Sequence, residues 1–149
     1  MKIFAIDPGT AKSAWMEFDT DGLVPVRFGI SDNEEVLVLL HQNRQCEHLA
    51  IEMVASFGMP VGKEVFETCV WIGRFIQQAK LPFTCLYRKE IVIHLCGTAK
   101  AKDGNVRQAL IDRYGPQGTK KSPGATYGIS KDVWSSLAIA TTWTDTYKE

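Results

Sequence analysis

Three acidic residues stand where an acid is a poor choice for a core. Asp7 closes the apolar run "KIFAID" and is followed at once by Pro8-Gly9-Thr10. Glu52 lies inside the apolar "LAIEMV", and Asp132 opens "SKDVWSSLAIA" near the far end of the chain. Grouped carboxylates repel one another unless cations neutralise them, and hard divalent ions such as Mg²⁺ or Mn²⁺ take oxygen ligands of this kind. Two such ions about 3.5–4 Å apart activate a water and stabilise the leaving oxygen of a phosphodiester. Each acid alone also has a plain structural use. Asp7 can cap its turn, Glu52 can pair with a lysine, and Asp132 suits the positive end of a helix dipole. Three together favour metal chemistry, provided the fold brings them to one place.

The elements that must do so follow from periodicity and turn chemistry. Residues 2–7, 13–19 and 24–30 read as strands joined by the short links "PGTAK" and "DTDG", which makes an antiparallel meander. "SDNEEVLVLLHQNRQ" reads as a helix with acids in its first turn. Residues 48–54 form a fourth strand, 62–80 a long helix, and 82–87 a fifth strand. Two shorter helices follow at "RKEIVIHLCG" and 102–115. Residues 115–129, rich in Gly, Pro, Lys, Ser and Thr, read as a mobile basic loop. The last helix is expected over 130–148, with Ser130 as its N-cap. This order predicts an α/β protein of one domain, residues 1–149. Its architecture is a ribonuclease-H-like mixed five-stranded sheet, antiparallel in its first three strands and flanked by helices. If strands one and four are neighbours, Asp7 and Glu52 meet at one end of the sheet, where a helix crossing that end can add Asp132.

The bulk properties fit a single globular domain: 149 residues, 45% hydrophobic and 23% charged. No apolar run approaches the roughly 20 residues of a membrane span, and no membrane partner is expected. The chain enters "KIFAID" without the features of a secretion signal. Cys46, Cys69, Cys85 and Cys96 show no metal spacing and read as reduced thiols, so a cytoplasmic location is expected. Net charge is zero, but its distribution is uneven. Residues 88–131 hold nine Lys/Arg against three Asp/Glu, whereas residues 1–87 hold seven against eleven. A basic segment on a neutral chain can serve as a footprint for phosphates or be an ordinary solvated surface.

"FAIDPGT", "LAIEMV" and "SKDVWSSLAIA", in that order and spacing, resemble the RuvC-type Holliday junction resolvases over nearly the whole chain. The basic "TAKAKDGNVRQAL" resembles the lysine-rich segment of that family, and the short length resembles its compact phage and prophage versions. The resemblance implies a homodimeric endonuclease that cuts four-way DNA junctions with Mg²⁺ or Mn²⁺. Asp7, Glu52 and Asp132 would hold metal. In the family the last helix typically carries a pair of ligands three residues apart; here Asp132 fills the first position and Ser135, a weak neutral ligand, the second. Asp103 and Asp145 are conceivable substitutes for the missing acid.

Lys100, Lys102, Arg107, Lys120, Lys121 and Lys131 are expected to contact phosphates of the junction arms. Lys102, or Lys100, is the candidate to stabilise charge at the scissile phosphate. Phe57 or Met59, just beyond Glu52, could wedge into the junction centre or pack on the next helix. The helix at 62–80 would form the two-fold interface. Two other readings stand beside junction resolution: a related ribonuclease-H-like nuclease on RNA or other branched DNA, and a junction-binding protein whose cleavage is weakened at Ser135.

Overall fold

A computed structural model describes residues 1–149. Strands β1 (Lys2–Asp7), β2 (Lys12–Asp19) and β3 (Val24–Asp32) form the meander. Helix α1 (Asn33–Gln42) leads into β4 (Cys46–Met53), and α2 (Lys63–Ala79) into β5 (Phe83–Tyr87). Helices α3 (Arg88–Cys96), α4 (Asp103–Tyr114) and α5 (Val133–Thr146) complete the chain. The sheet order is β3-β2-β1-β4-β5; β1 and β2, and β2 and β3, pair antiparallel, while β4 pairs parallel with both β1 and β5. This is the mixed five-stranded sheet expected from the sequence. Each strand lies within two residues of its expected bounds.

Strand parity decides which way the site faces. Side chains alternate along a strand, so residues i and i+2 share a face. In β1, Ile3 and Ala5 join the core under α3, α4 and α5, while Phe4 and Ile6 join the core under α1 and α2. In β4, Ala50 goes to the first core, and Leu49 and Ile51 to the second. Asp7 and Glu52 therefore continue the rows of Ala5 and Ala50, on the face that α5 covers. Ile6 pairs with Ile51 across the parallel β1–β4 ladder, which sets Asp7 and Glu52 one step further on, side by side.

Helix α5 is apolar nearly all round, and every residue from Ser136 to Trp143 is buried. Such a helix must lie under cover; it packs across β1, β2 and β4 and so brings its N-terminus toward the two strand-end acids. The expected Ser130 N-cap is not formed. Asp132 is the N-cap residue, and it makes no side-chain cap bond. Ser130 instead supplies its carbonyl to the Val133 N–H, while Lys131 takes a left-handed φ of 49° that pulls the chain out of the helix.

Residues 115–129 also depart from expectation. Residues 117–124 within this stretch close as a short hairpin. Gly118 bridges Pro123, and Thr119 and Ser122 exchange both backbone hydrogen bonds at 3.1 Å. The Gln117 side chain donates to the carbonyls of Ile129 (2.7 Å) and Thr126 (3.1 Å). Lys120 and Lys121 are thereby held at an exposed tip.

The turn after Asp7 is braced from beneath. Gly9 N–H donates to Ser13 Oγ (3.1 Å), Ser13 donates to Asn33 Oδ1 (2.6 Å), and Asn33 Nδ2 donates to the Gly9 carbonyl (2.9 Å). A Cβ on Gly9 would stand 2.3 Å from the Lys12 carbonyl oxygen, so the turn has no room for a side chain. Gly9→Ala should therefore lower the unfolding free energy by roughly 1–3 kcal/mol, read from urea denaturation. An unchanged midpoint would mean that the turn is free to shift.

Candidate active site

Asp7 and Glu52 are withdrawn from solvent at the carboxyl ends of neighbouring parallel strands. Burial raises the Asp7 pKa to about 8, with the charges of Glu52 and Asp132 adding to the rise and the Arg88 guanidinium opposing it. Glu52 is also raised, again first by burial, and Arg88 again opposes. Glu52 Oε1 is fully buried and has no hydrogen-bond partner. An orphaned carboxylate oxygen beside a second carboxyl is costly unless a proton or a cation lies between them.

Asp132 is exposed at the start of α5, and its charge bears on both buried acids. It borders a cleft of about 120 Å³ whose lining includes Arg88, Asp103, Arg107, Lys131 and Ser135. As the side chains stand, no three acids, histidines or cysteines converge as a ready cage. The oxygen-only donor set and the orphaned Glu52 oxygen nevertheless fit a hard divalent cation. Asp7 and Glu52 would hold it, with Asp132 closing from α5.

The other residues expected to bind DNA fall into four places. Lys131 and Arg107 line the cleft, and Lys131 is its only lysine. Lys100 and Lys102 are exposed on the turn before α4; Lys102 adjoins Asp103 but does not line the cleft. Lys120 and Lys121 occupy the hairpin tip. Phe57 is 63% exposed and Met59 72%, so neither packs on the following helix. Phe57 also has a left-handed φ of 47°. Of the four non-glycine residues with positive φ, Phe57 and Lys131 both belong to the proposed binding face, and such strain persists only where its surroundings impose it.

Arg88 is the residue that sequence reasoning missed. It opens α3 directly after β5, and the parallel pairing of Glu52 with Leu86 and Met53 with Tyr87 carries it to the same sheet end. That parallel register was the available signal. Asp145, in contrast, is no substitute ligand. Arg113 and His94 both bind its carboxylate, which holds it below the usual carboxylate range.

With this geometry in place, comparison with solved structures is informative about the fold. The chain is similar to the structure of Thermus thermophilus RuvC, at 17% identity over 95% of this chain and 92% of that one, with a TM-score of 0.71. It is also similar to T. thermophilus RuvC in complex with Holliday junction substrate, at 17% identity over 99% and 95%, with a TM-score of 0.76. No family model and no curated protein matches the sequence. The chain has the RuvC-type, ribonuclease-H-like fold. No helix is long and apolar enough to cross a membrane.

The raised Asp7 pKa has a measurable consequence. Between the ordinary carboxylate value and about 8 the folded chain holds a proton that the unfolded chain releases, so stability falls as pH rises through that window. In EDTA, the urea midpoint of the wild type should drop between pH 6.5 and 8.5 more steeply than that of Asp7→Asn. Parallel profiles would remove the charge clash from the account.

Proposed function

We propose that this fold carries a divalent-metal-dependent endonuclease that resolves four-way DNA junctions as a homodimer. The observation that carries the reading is the pair of half-buried carboxyls, Asp7 and Glu52, at the ends of parallel strands, with Asp132 approaching from α5. Mg²⁺ or Mn²⁺, when bound, supplies an activated water and neutralises the leaving oxygen of a phosphodiester. The chain's own residues do the rest. Asp7 and Glu52 present fixed negative charge from a rigid sheet end, which holds the ligand geometry without reorganisation. Lys131 and Arg107 draw a phosphate into the cleft. Lys100, Lys102, Lys120 and Lys121 neutralise backbone phosphates further out, a contribution that weakens steeply with salt. Phe57 and Met59 form an apolar tip beside the site, suited to unstacking bases at a branch point.

A dimer suits a substrate with two strands to cut, because a two-fold axis places two equivalent sites. Phe66, Val70, Gly73 and Gln77 form an exposed stripe along α2. Gly73 costs about 1 kcal/mol of helix propensity, and nothing within the chain lies within 4 Å of the Cβ it lacks. A bare backbone about one turn beyond exposed Val70 allows close approach of a second helix. Ile72, one turn round, is only 3% exposed and belongs to the core, so it does not probe this surface.

Cleavage of a labelled four-way junction in Mg²⁺ or Mn²⁺, set beside binding in EDTA, tests the proposal. Wild type should cut; Asp7→Asn, Glu52→Gln and Asp132→Asn should bind with near wild-type affinity and lose cutting by about a hundredfold or more, a loss of roughly 2.7 kcal/mol or more in transition-state stabilisation. Binding without any cutting by the wild type would favour a junction-binding protein, and preference for RNA or other branched DNA would favour a related nuclease. In sedimentation, wild type should be a dimer at micromolar concentration and Val70→Glu a folded monomer. A wild-type monomer that still resolves junctions would contradict the paired-site arrangement.

A further inference from the structure

The cleft bordered by Asp132 and Ser135 holds a further carboxylate, Asp103. Asp103 opens α4, its side chain is 94% exposed, and it forms an ion pair with the Arg88 guanidinium. It borders the same cleft as Asp132 and Ser135, and its charge is felt by Glu52. Ser135, three residues along α5 from Asp132 and hence on the same helix face, offers a neutral hydroxyl where a second acid would complete the site. Asp103 on α4 thus shares one cleft with the α5 position that lacks a charge.

Resting on the endonuclease reading above, we propose that Asp103 supplies the carboxylate Ser135 lacks, and that Arg88 parks it at the cleft until a divalent cation binds. Two features make the parked state easy to leave. The Asp103 side chain is solvent-exposed, so the ion pair holds it only weakly. Asp103 is also the first residue of its helix, where a change of rotamer disturbs no packing. Arg88 meanwhile offsets part of the repulsion between Asp7 and Glu52, since its charge opposes the rise in both their pKa values. Partner exchange from guanidinium to metal therefore moves one exposed side chain and leaves the sheet end fixed. The four oxygen-bearing groups would come from β1, β4, α4 and α5, rather than two of them from the last helix.

Mn²⁺ binding to the full-length chain without DNA, followed by the electron paramagnetic resonance signal of free Mn²⁺, tests this independently of cutting. Asp103→Asn should weaken Mn²⁺ about tenfold or more, in the range seen when a metal site loses a supporting carboxylate. Asp103→Glu should stay close to wild type, and Ser135→Asp added to Asp103→Asn should restore the affinity. A mere staple between α3 and α4 would lower the melting temperature of Asp103→Asn and leave Mn²⁺ affinity unchanged, which would overturn the proposal. Failure of Ser135→Asp to rescue would overturn it as well. Asp7→Asn separates the two levels. If it loses Mn²⁺ while Asp103→Asn does not, the endonuclease reading stands and this inference falls; if Asp7→Asn binds as the wild type does, the reading itself fails.

Discussion

Two carboxyl groups that lose water side by side cannot both ionise cheaply. Asp7 and Glu52 are placed in that position by the alternation of two adjacent strands, and the consequences run through the molecule. Burial raises both pKa values; the charges of Glu52 and Asp132 add to the rise at Asp7, and those of Asp103 and Asp132 add to it at Glu52, where a hydrogen bond from Asp7 works the other way. One Glu52 oxygen is left without a donor. Arg88, whose charge opposes the rise in both pKa values, arrives because β5 runs parallel to β4 and hands over directly to α3. A protein gains no stability from such a pair. It keeps one where the charge serves a ligand or a reaction.

The scaffold absorbs this cost in ways that can be traced. Central strand β1 is buried on both faces, so its end cannot swing away from β4. The turn after Asp7 is pinned through Ser13 and Asn33, both buried, and through a glycine with no room for a Cβ. Helix α5 is enclosed along most of its length, which fixes the position of its N-terminus and with it Asp132 and Ser135. Around this rigid centre the binding groups are exposed: Phe57 and Met59 on one loop, Lys131 in a strained backbone conformation, and the lysine pair on the Gln117-braced hairpin. Rigid acids and accessible cations are the division that the proposed function, metal held beside a bound polyanion, would require.

Much of this was legible in the sequence because it depends on local period and turn chemistry. The apolar runs of "KIFAID" and "LAIEMV" placed both acids near strand ends, and the order of elements implied the sheet. What escaped depends on contacts distant in sequence. The composition of residues 115–129 reads as flexible, yet the hydrogen bonds of Gln117 and the close approach of Gly124 to Pro116 order them. Ser130 has the chemistry of a cap, but the left-handed turn at Lys131 moves the cap to Asp132. Asp145 looked available until Arg113 and His94 were seen to bind it. Arg88 is one basic residue among many in its segment, and only the parallel register of β5 singles it out.

The central claim is that Asp7 and Glu52 together receive a divalent cation. Anomalous diffraction from a crystal soaked in Mn²⁺ addresses it directly. The account predicts a strong anomalous peak bridging the Asp7 and Glu52 carboxylates, on the face covered by α5. A Mn²⁺-soaked crystal with both carboxylates ordered and no peak between them, or with peaks only at exposed surface acids, would contradict it.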